Sequence, residues 1–119
     1  MTRELPPLVE RTVQRLIRSF APERILLFGS YAKGNVRPGS DVDLLVIANV
    51  AGNPAIHLRR ARQLCADCFP PVDVVFAAPE EVAAAESAKS PFLLSILGTG
   101  VVIYASRLGS DPAQVRNLG

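Results

Sequence analysis

The chain has 119 residues, of which 49% are apolar and 20% charged, and its formal net charge is +2. This composition excludes a disordered chain, and the length fits one domain that buries a core without disulfides or a structural metal. The small net charge gives no support for direct nucleic-acid binding. No apolar run reaches the roughly 20 residues of a membrane span, and residues 1–11 lack a signal-peptide pattern, so we expect a cytoplasmic protein without membrane contact.

Helices and strands alternate along the predicted chain. The predicted helices are Leu8–Phe20, Ser30–Lys33, Pro54–Phe69, Pro79–Lys89 and Phe92–Leu97, and the predicted strands are Arg24–Phe28, Asp41–Ala48, Val72–Ala77 and Val101–Tyr104. This order indicates an α/β (α+β) fold with a small mixed sheet and flanking helices. The short connection between the first two strands favours an antiparallel pair. We expect one domain over residues 1–106 and a flexible C-terminal tail over residues 107–119.

Three carboxylates stand near the starts of two predicted strands. Asp41 and Asp43 open the second strand, and Asp73 lies in the otherwise apolar third strand. Residues two apart in a strand point to the same side, so Asp41 and Asp43 should project together while Val42 faces the other way. A carboxylate in an apolar strand is costly to bury unless it is paired or binds a metal. Such oxygen ligands suit Mg²⁺, and two-metal phosphoryl transfer uses ions about 3.5–4 Å apart that carboxylates bridge.

A Gly-Ser pair ends the first predicted strand. Gly29 would let the backbone approach a phosphate, while Ser30, the expected cap of the short helix, adds a hydroxyl next to that helix's first N–H groups. Taken alone, the pair is also an ordinary strand-to-helix turn, but its spacing to the aspartates favours a phosphate site. Lys33 and Arg37 lie in the intervening segment, where they either neutralise triphosphate charge or are simply solvated.

These residues together resemble a known signature. Gly29-Ser30, followed by ten residues and then Asp41-Val42-Asp43, is similar to the motif of the polymerase-β-type nucleotidyltransferase superfamily. Asp73 stands where that superfamily carries its third carboxylate. The chain length and the ending PFLLSILGTGVVIYAS resemble those of its minimal members, the MntA-like antitoxins. The resemblance covers about residues 8 to 106.

The resemblance implies a role for each matching residue. Gly29 and Ser30 would hold the β- and γ-phosphates of a nucleoside triphosphate. Asp41 and Asp43 would ligate two Mg²⁺ ions, and Asp73 would ligate the catalytic ion and help to deprotonate the acceptor hydroxyl. That hydroxyl would attack the α-phosphorus, and pyrophosphate would leave.

The implied function is transfer of an NMP, with ATP as the expected donor of AMP, to a hydroxyl of a partner protein. Small members of the family commonly pair with a helical HEPN-type toxin, so the resemblance implies an antitoxin that modifies a tyrosine of that toxin. Two alternatives stay open: a non-catalytic antitoxin that neutralises its toxin by contact, and transfer to a small molecule or RNA.

The cysteines and the histidine receive a structural interpretation. Cys65 and Cys68 form a C-x-x-C on the apolar stripe of the second long helix, without the further ligands that a zinc site needs, so we predict two small core residues. His57, near the start of that helix, is expected to be a surface residue rather than a base.

Overall fold

The computed structural model describes residues 5–34, 36, 40–49, 52–68, 70–85 and 90–106. Its elements in chain order are helix α1 (Pro7–Phe20), strand β1 (Arg24–Phe28), helix α2 (Ser30–Lys33), strand β2 (Val42–Ile47), helix α3 (Pro54–Leu64), strand β3 (Val72–Ala77), helix α4 (Pro79–Ala83), helix α5 (Pro91–Thr99) and strand β4 (Val101–Ala105). Within those ranges, none of the helices has the length and apolar character needed to cross a membrane.

The four strands form one mixed sheet in the order β3-β2-β1-β4. β1 runs antiparallel to both of its neighbours, β2 and β4, whereas β2 and β3 are parallel. The first two strands are therefore antiparallel neighbours, as their short connection predicted. The parallel pair has room for its crossover in α3, which begins and ends between β2 and β3.

Alternate residues of the strands supply two separate cores. The α1/α3 face of the sheet carries the larger one, in which Leu44 and Val46 of β2 pack with Leu16 of α1 and Ala61 of α3. The α4/α5 face carries a smaller core in which Leu45 packs with residues from both covering helices. Its members are Leu26, Leu45, Ile47, Ala77 and Ile96, with Phe28, Val75, Val82, Leu93 and Leu97 packed against them.

Local sequence explains where the long helices begin and end. α1, α3, α4 and α5 each start with a proline at the first helical position, where a missing N–H costs no hydrogen bond. At the end of α1, Ala21 adopts the left-handed conformation with φ 46° and donates its N–H to the Ile17 carbonyl. Asn53 caps α3 by accepting the Ala55 N–H at 2.9 Å.

Most predicted elements match the structure, and several bounds differ. The helix predicted over Pro79–Lys89 ends at Ala83, where Ala84 is its C-cap, and residues 86–89 of that prediction lie outside the described residues. β2 begins at Val42 rather than at Asp41 and ends at Ile47, and the bounds of α1, α5 and β4 differ from the prediction by one or two residues.

Ser30 is not the cap of α2, because Gly29 occupies the cap position and Ser30 is the first helical residue. α3 ends at Leu64 rather than at residue 69, and the chain continues as a turn in which the Cys68 N–H donates to the Cys65 carbonyl at 3.0 Å. The predicted tail over residues 107–119 lies outside the described residues.

Candidate active site

The parallel pairing of β2 and β3 brings two of the predicted carboxylates side by side. Asp43 and Asp73 are direct partners in the register, each one residue into its strand. Because neighbouring strands lie about 4.8 Å apart and paired residues share a face, both side chains project from the same row of the sheet. The row lies on the α4/α5 face, since Val42 and Val74 on either side of it pack into the opposite core.

Asp41 lies just before the start of β2. It is exposed, whereas Val42 is buried, which is the alternation that the sequence predicted. Asp73 is also exposed, and Asp43 is half-buried. The strand ends thus present three carboxylates to solvent at one edge of the sheet, with Asp43 the most enclosed.

The pKa of Asp43 depends on the charges of the other two aspartates. Burial raises the pKa of the Asp43 carboxyl above its ordinary value of 3.8, and the negative charges of Asp73 and then Asp41 raise it further. A site that concentrates negative charge in this way is stabilised by any cation placed among the carboxylates.

Gly29 closes the site from the side of β1. Its φ of 73° and ψ of −149° belong to a region that only glycine adopts readily. A Cβ built on Gly29 would overlap the Asp43 carboxylate and lie 3.2 Å from Asp43 Cγ. The missing side chain is therefore what allows the β1–α2 turn and the Asp43 side chain to occupy adjoining space.

The other predicted phosphate-binding residues follow this turn. Ser30 begins α2 and is half-buried, and Lys33 ends it and is exposed. The carbonyls of Gly29 and Ser30 accept the N–H groups of Lys33 and Gly34, so a single closed turn of helix places Ser30 and Lys33 close to Gly29. Arg37 lies outside the described residues.

The donor set fits a hard cation such as Mg²⁺ that arrives with a nucleotide. Within the described ranges, no three His, Cys, Asp or Glu side chains are gathered closely enough to enclose a metal by themselves. Mg²⁺ does not require such a cage, because it keeps several waters and is commonly held by one or two carboxylates together with substrate phosphates. The adjoining Asp43 and Asp73, beside the Gly29 turn, suit that mode.

The remaining candidate residues lie away from this edge. Cys65 and Cys68 are free thiols buried in the core of the α1/α3 face, as predicted, although they follow α3 instead of lying within it. Burial raises the pKa of the Cys65 thiol to about 11, so it is protonated at neutral pH. His57 is half-buried, with its ring edge-on to Phe20 at 6.2 Å on that same face.

A surface depression of about 470 Å³ also belongs to the far side of the sheet. Glu10, Arg11 and Val13 of α1 and Ile103 of β4 are among the residues that line it. Val13 and Ile103 pack with the core of the α1/α3 face. The aspartates instead occupy an open edge, where a substrate would contribute much of the enclosure.

The sequence reasoning missed one neighbour of the carboxylates. Phe28, the residue before Gly29, is the cross-strand partner of Asp43 in the antiparallel pair of β1 and β2. Its position follows from the register between the strands, which the local sequence pattern does not contain.

Comparison with known families gives a match to the family described as "Nucleotidyltransferase domain", over residues 9–94. That range runs from within α1 into α5 and contains all three aspartates. A search of curated proteins gives no match.

Solved structures with this fold are similar over most of the chain. A toxin–antitoxin crystal structure with AMP-PNP matches with a TM-score of 0.59 and 23% identity, over 92% of this chain and 83% of that one. A putative nucleotidyltransferase from Sulfolobus solfataricus matches with a TM-score of 0.57 and 19% identity, over 82% and 78%. The Y104A mutant of the toxin–antitoxin MntA-HpeT matches with a TM-score of 0.57 and 22% identity, over 97% and 85%.

Proposed function

This chain belongs to the nucleotidyltransferase domain family, and from that premise we propose that it transfers AMP from ATP to a hydroxyl of a partner protein. The observation that carries the proposal is the register of the parallel strands, which pairs Asp43 with Asp73 beside the turn at Gly29. Two adjoining carboxylates beside a glycine turn suit a metal-bound triphosphate.

The three aspartates would hold two Mg²⁺ ions in this proposal. Asp43 is the most enclosed of the three and would be a ligand of the ions, with Asp73 as its direct partner in the register and Asp41 two residues before it. When bound, the ions supply charge stabilisation for the attacking and leaving oxygens of an in-line displacement. Asp73 is exposed on the β3 side of Asp43, where it can accept the proton of an incoming hydroxyl.

The β1–α2 turn would hold the phosphates. The Gly29–Ser30 turn adjoins the Asp43 carboxylate, so a phosphate held by the turn's backbone and by the Ser30 hydroxyl would lie next to the carboxylates. Lys33 is exposed in the last turn of α2 and is placed to balance triphosphate charge, and we assign Arg37 the same role.

The partner and the nucleotide are inferred from the structural relatives. Two of them are toxin–antitoxin structures, and one of these contains AMP-PNP, an adenine nucleotide. They support ATP as the donor, a toxin protein as the acceptor and an antitoxin function for this chain. Dependence on ATP also fits a cytoplasmic location.

Label transfer from α-labelled ATP tests the proposal directly. The wild-type protein, Asp43→Asn and Asp67→Asn would each be incubated with Mg²⁺ and the protein encoded by the neighbouring gene. Asp67 is a matched control because it is an exposed aspartate whose partner is Arg15 of α1, on the other side of the sheet. We expect wild type and Asp67→Asn to label the partner, and Asp43→Asn to lose about 100-fold or more, the scale of losing a group that stabilises transition-state charge.

Other outcomes separate the alternatives. A stable complex of wild type and Asp43→Asn with the partner, without label on it, would contradict transfer and indicate an antitoxin that acts by contact. Label on RNA or on a small molecule, with none on the partner, would retain the nucleotidyltransferase and replace its acceptor. Omission of Mg²⁺ should abolish all transfer.

A further inference from the structure

Two phenylalanines form an aromatic pair next to the proposed site. Phe28 ends β1, and Phe92 is the second residue of α5. Their ring centroids are 6.1 Å apart and the rings are perpendicular, which is a favourable edge-to-face arrangement. Phe92 is nevertheless 53% exposed, so much of its surface meets solvent.

The sheet places this pair beside the carboxylates. Phe28 lies opposite Asp43 in the antiparallel register, and both side chains project from the α4/α5 face. Directly opposite residues have Cβ atoms about 4.5–5.5 Å apart. Phe28 therefore stands between Asp43 on one side and Phe92 on the other, and Gly29 follows it in the chain.

Phe92 is not needed to close the core. Leu93, Ile96 and Leu97 form the stripe of α5 that packs onto the sheet, and Phe92 lies off that stripe. About half of the Phe92 side chain is exposed beside the carboxylates, and a planar aromatic ligand stacked on it would bury that apolar surface.

We propose that Phe92, supported by Phe28, is the surface on which the nucleobase of the bound nucleotide stacks. The inference rests on the proposed function, since it requires a nucleoside triphosphate on Gly29 and Ser30. A nucleobase is a planar aromatic ring tethered to those phosphates, and stacking of a base on an aromatic side chain contributes about 1–3 kcal/mol.

The strand order indicates that the nucleobase, rather than the acceptor, contacts the aromatic pair. Asp73 on β3 flanks Asp43 on one side, and Phe28 on β1 flanks it on the other. The acceptor hydroxyl approaches Asp73 in the proposed reaction. The aromatic pair lies on the opposite side, together with the phosphate-binding turn, so it meets the nucleotide.

A tryptophan introduced at position 92 tests base stacking directly, because the chain contains no other tryptophan. Phe92→Trp would be titrated with ATP and Mg²⁺, and separately with inorganic tripolyphosphate and Mg²⁺, while tryptophan emission is recorded. We expect ATP to quench the emission, and we expect tripolyphosphate to compete with ATP without quenching by itself. Binding of ATP, measured by calorimetry, that leaves the emission unchanged would overturn the proposal.

Affinities provide the second measurement. Phe92→Ala should weaken ATP binding by roughly 5- to 150-fold and leave tripolyphosphate binding unchanged, as expected for loss of one stacked base. Leu94→Ala is the matched control, because Leu94 is an exposed apolar residue of the same helix, and it should bind ATP as wild type does. Equal weakening of both ligands by Phe92→Ala, or a raised KM for the acceptor alone, would contradict base stacking. Wild type that binds neither ligand would instead refute the nucleotide site itself.

Discussion

The two faces of the sheet are built from alternate residues of the same strands, yet they differ in packing and in charge. On the α1/α3 face, Val42, Leu44 and Val46 of β2 are fully buried under two long helices. On the α4/α5 face, the same strand begins with Asp43 and only then becomes apolar at Leu45. The α1/α3 face carries the larger core. The α4/α5 face carries a smaller core and has carboxylates instead of apolar side chains at the starts of β2 and β3.

The difference shows how a small domain can combine a stable core with a site of repelling charges. Because side chains alternate, a polar residue on one face does not interrupt the packing of its neighbours on the other. The cost of the site is thereby confined to a few residues at one end of β2 and β3.

The largest expected effect concerns the packing on each face. Leu16→Ala on α1 removes a fully buried side chain from the larger core and should lower the free energy of unfolding by about 2–5 kcal/mol. Leu97→Ala on α5 removes a half-buried side chain from the smaller core and should cost about 1 kcal/mol. Urea unfolding of both variants measures the difference. Equal losses in the free energy of unfolding would contradict a larger contribution of the α1/α3 face than of the α4/α5 face to stability.

The second prediction concerns the turn that faces Asp43. Gly29→Ala should destabilise the fold by about 1–3 kcal/mol, because alanine is strained at this φ and ψ and its Cβ overlaps the Asp43 carboxylate. Gly98 in α5 is the matched control, since a Cβ there meets no atom within 4 Å. Gly98→Ala should be neutral or should stabilise the helix by up to about 1 kcal/mol. A Gly29→Ala variant as stable as Gly98→Ala would refute the close approach of the turn to Asp43.

The third and smallest effect has the opposite sign. The pKa of Asp43 is raised on folding, so the folded state binds the proton more tightly than the unfolded state does, and this carboxyl lowers stability as pH rises from about 3.8 through its folded pKa. Asp43→Asn should therefore be more stable than wild type near neutral pH in the presence of EDTA, with the gain shrinking toward pH 4. Chemical denaturation at several pH values measures this gain in stability, and a variant less stable than wild type at pH 7 would contradict destabilisation of the charged Asp43 carboxylate by burial and by its like-charged neighbours.

The sequence predicted the strands well because their apolar runs are bounded by proline, glycine or charge. β1 and β3 begin and end where the pattern placed them. The end of α3 was misplaced for a physical reason: Cys65 and Cys68 continue its apolar stripe, but they are buried in the turn that follows. Apolar periodicity reports burial, and here burial extends past the helix.

The sequence named the candidate site residues but not their arrangement. The aspartates and Gly29-Ser30 could be named as candidates from residue type and spacing. The contact of Gly29 with Asp43 and the position of Phe28 depend on which residues of two strands are paired, and that pairing is set by the whole sheet. Local sequence does not encode it.

The pairing of Asp43 with Asp73 also makes the proposed active site depend on the correct register of β3 against β2. Side chains alternate with a period of two, so a slip of β3 by one residue against β2 would carry Asp73 to the α1/α3 face and bring an apolar side chain next to Asp43. Such a chain would lose the second carboxylate and bury a charge in the larger core at once. Under the proposed function, misregistered molecules would therefore be both inactive and unstable, and the specific activity of a preparation would measure its fraction of correctly paired sheets.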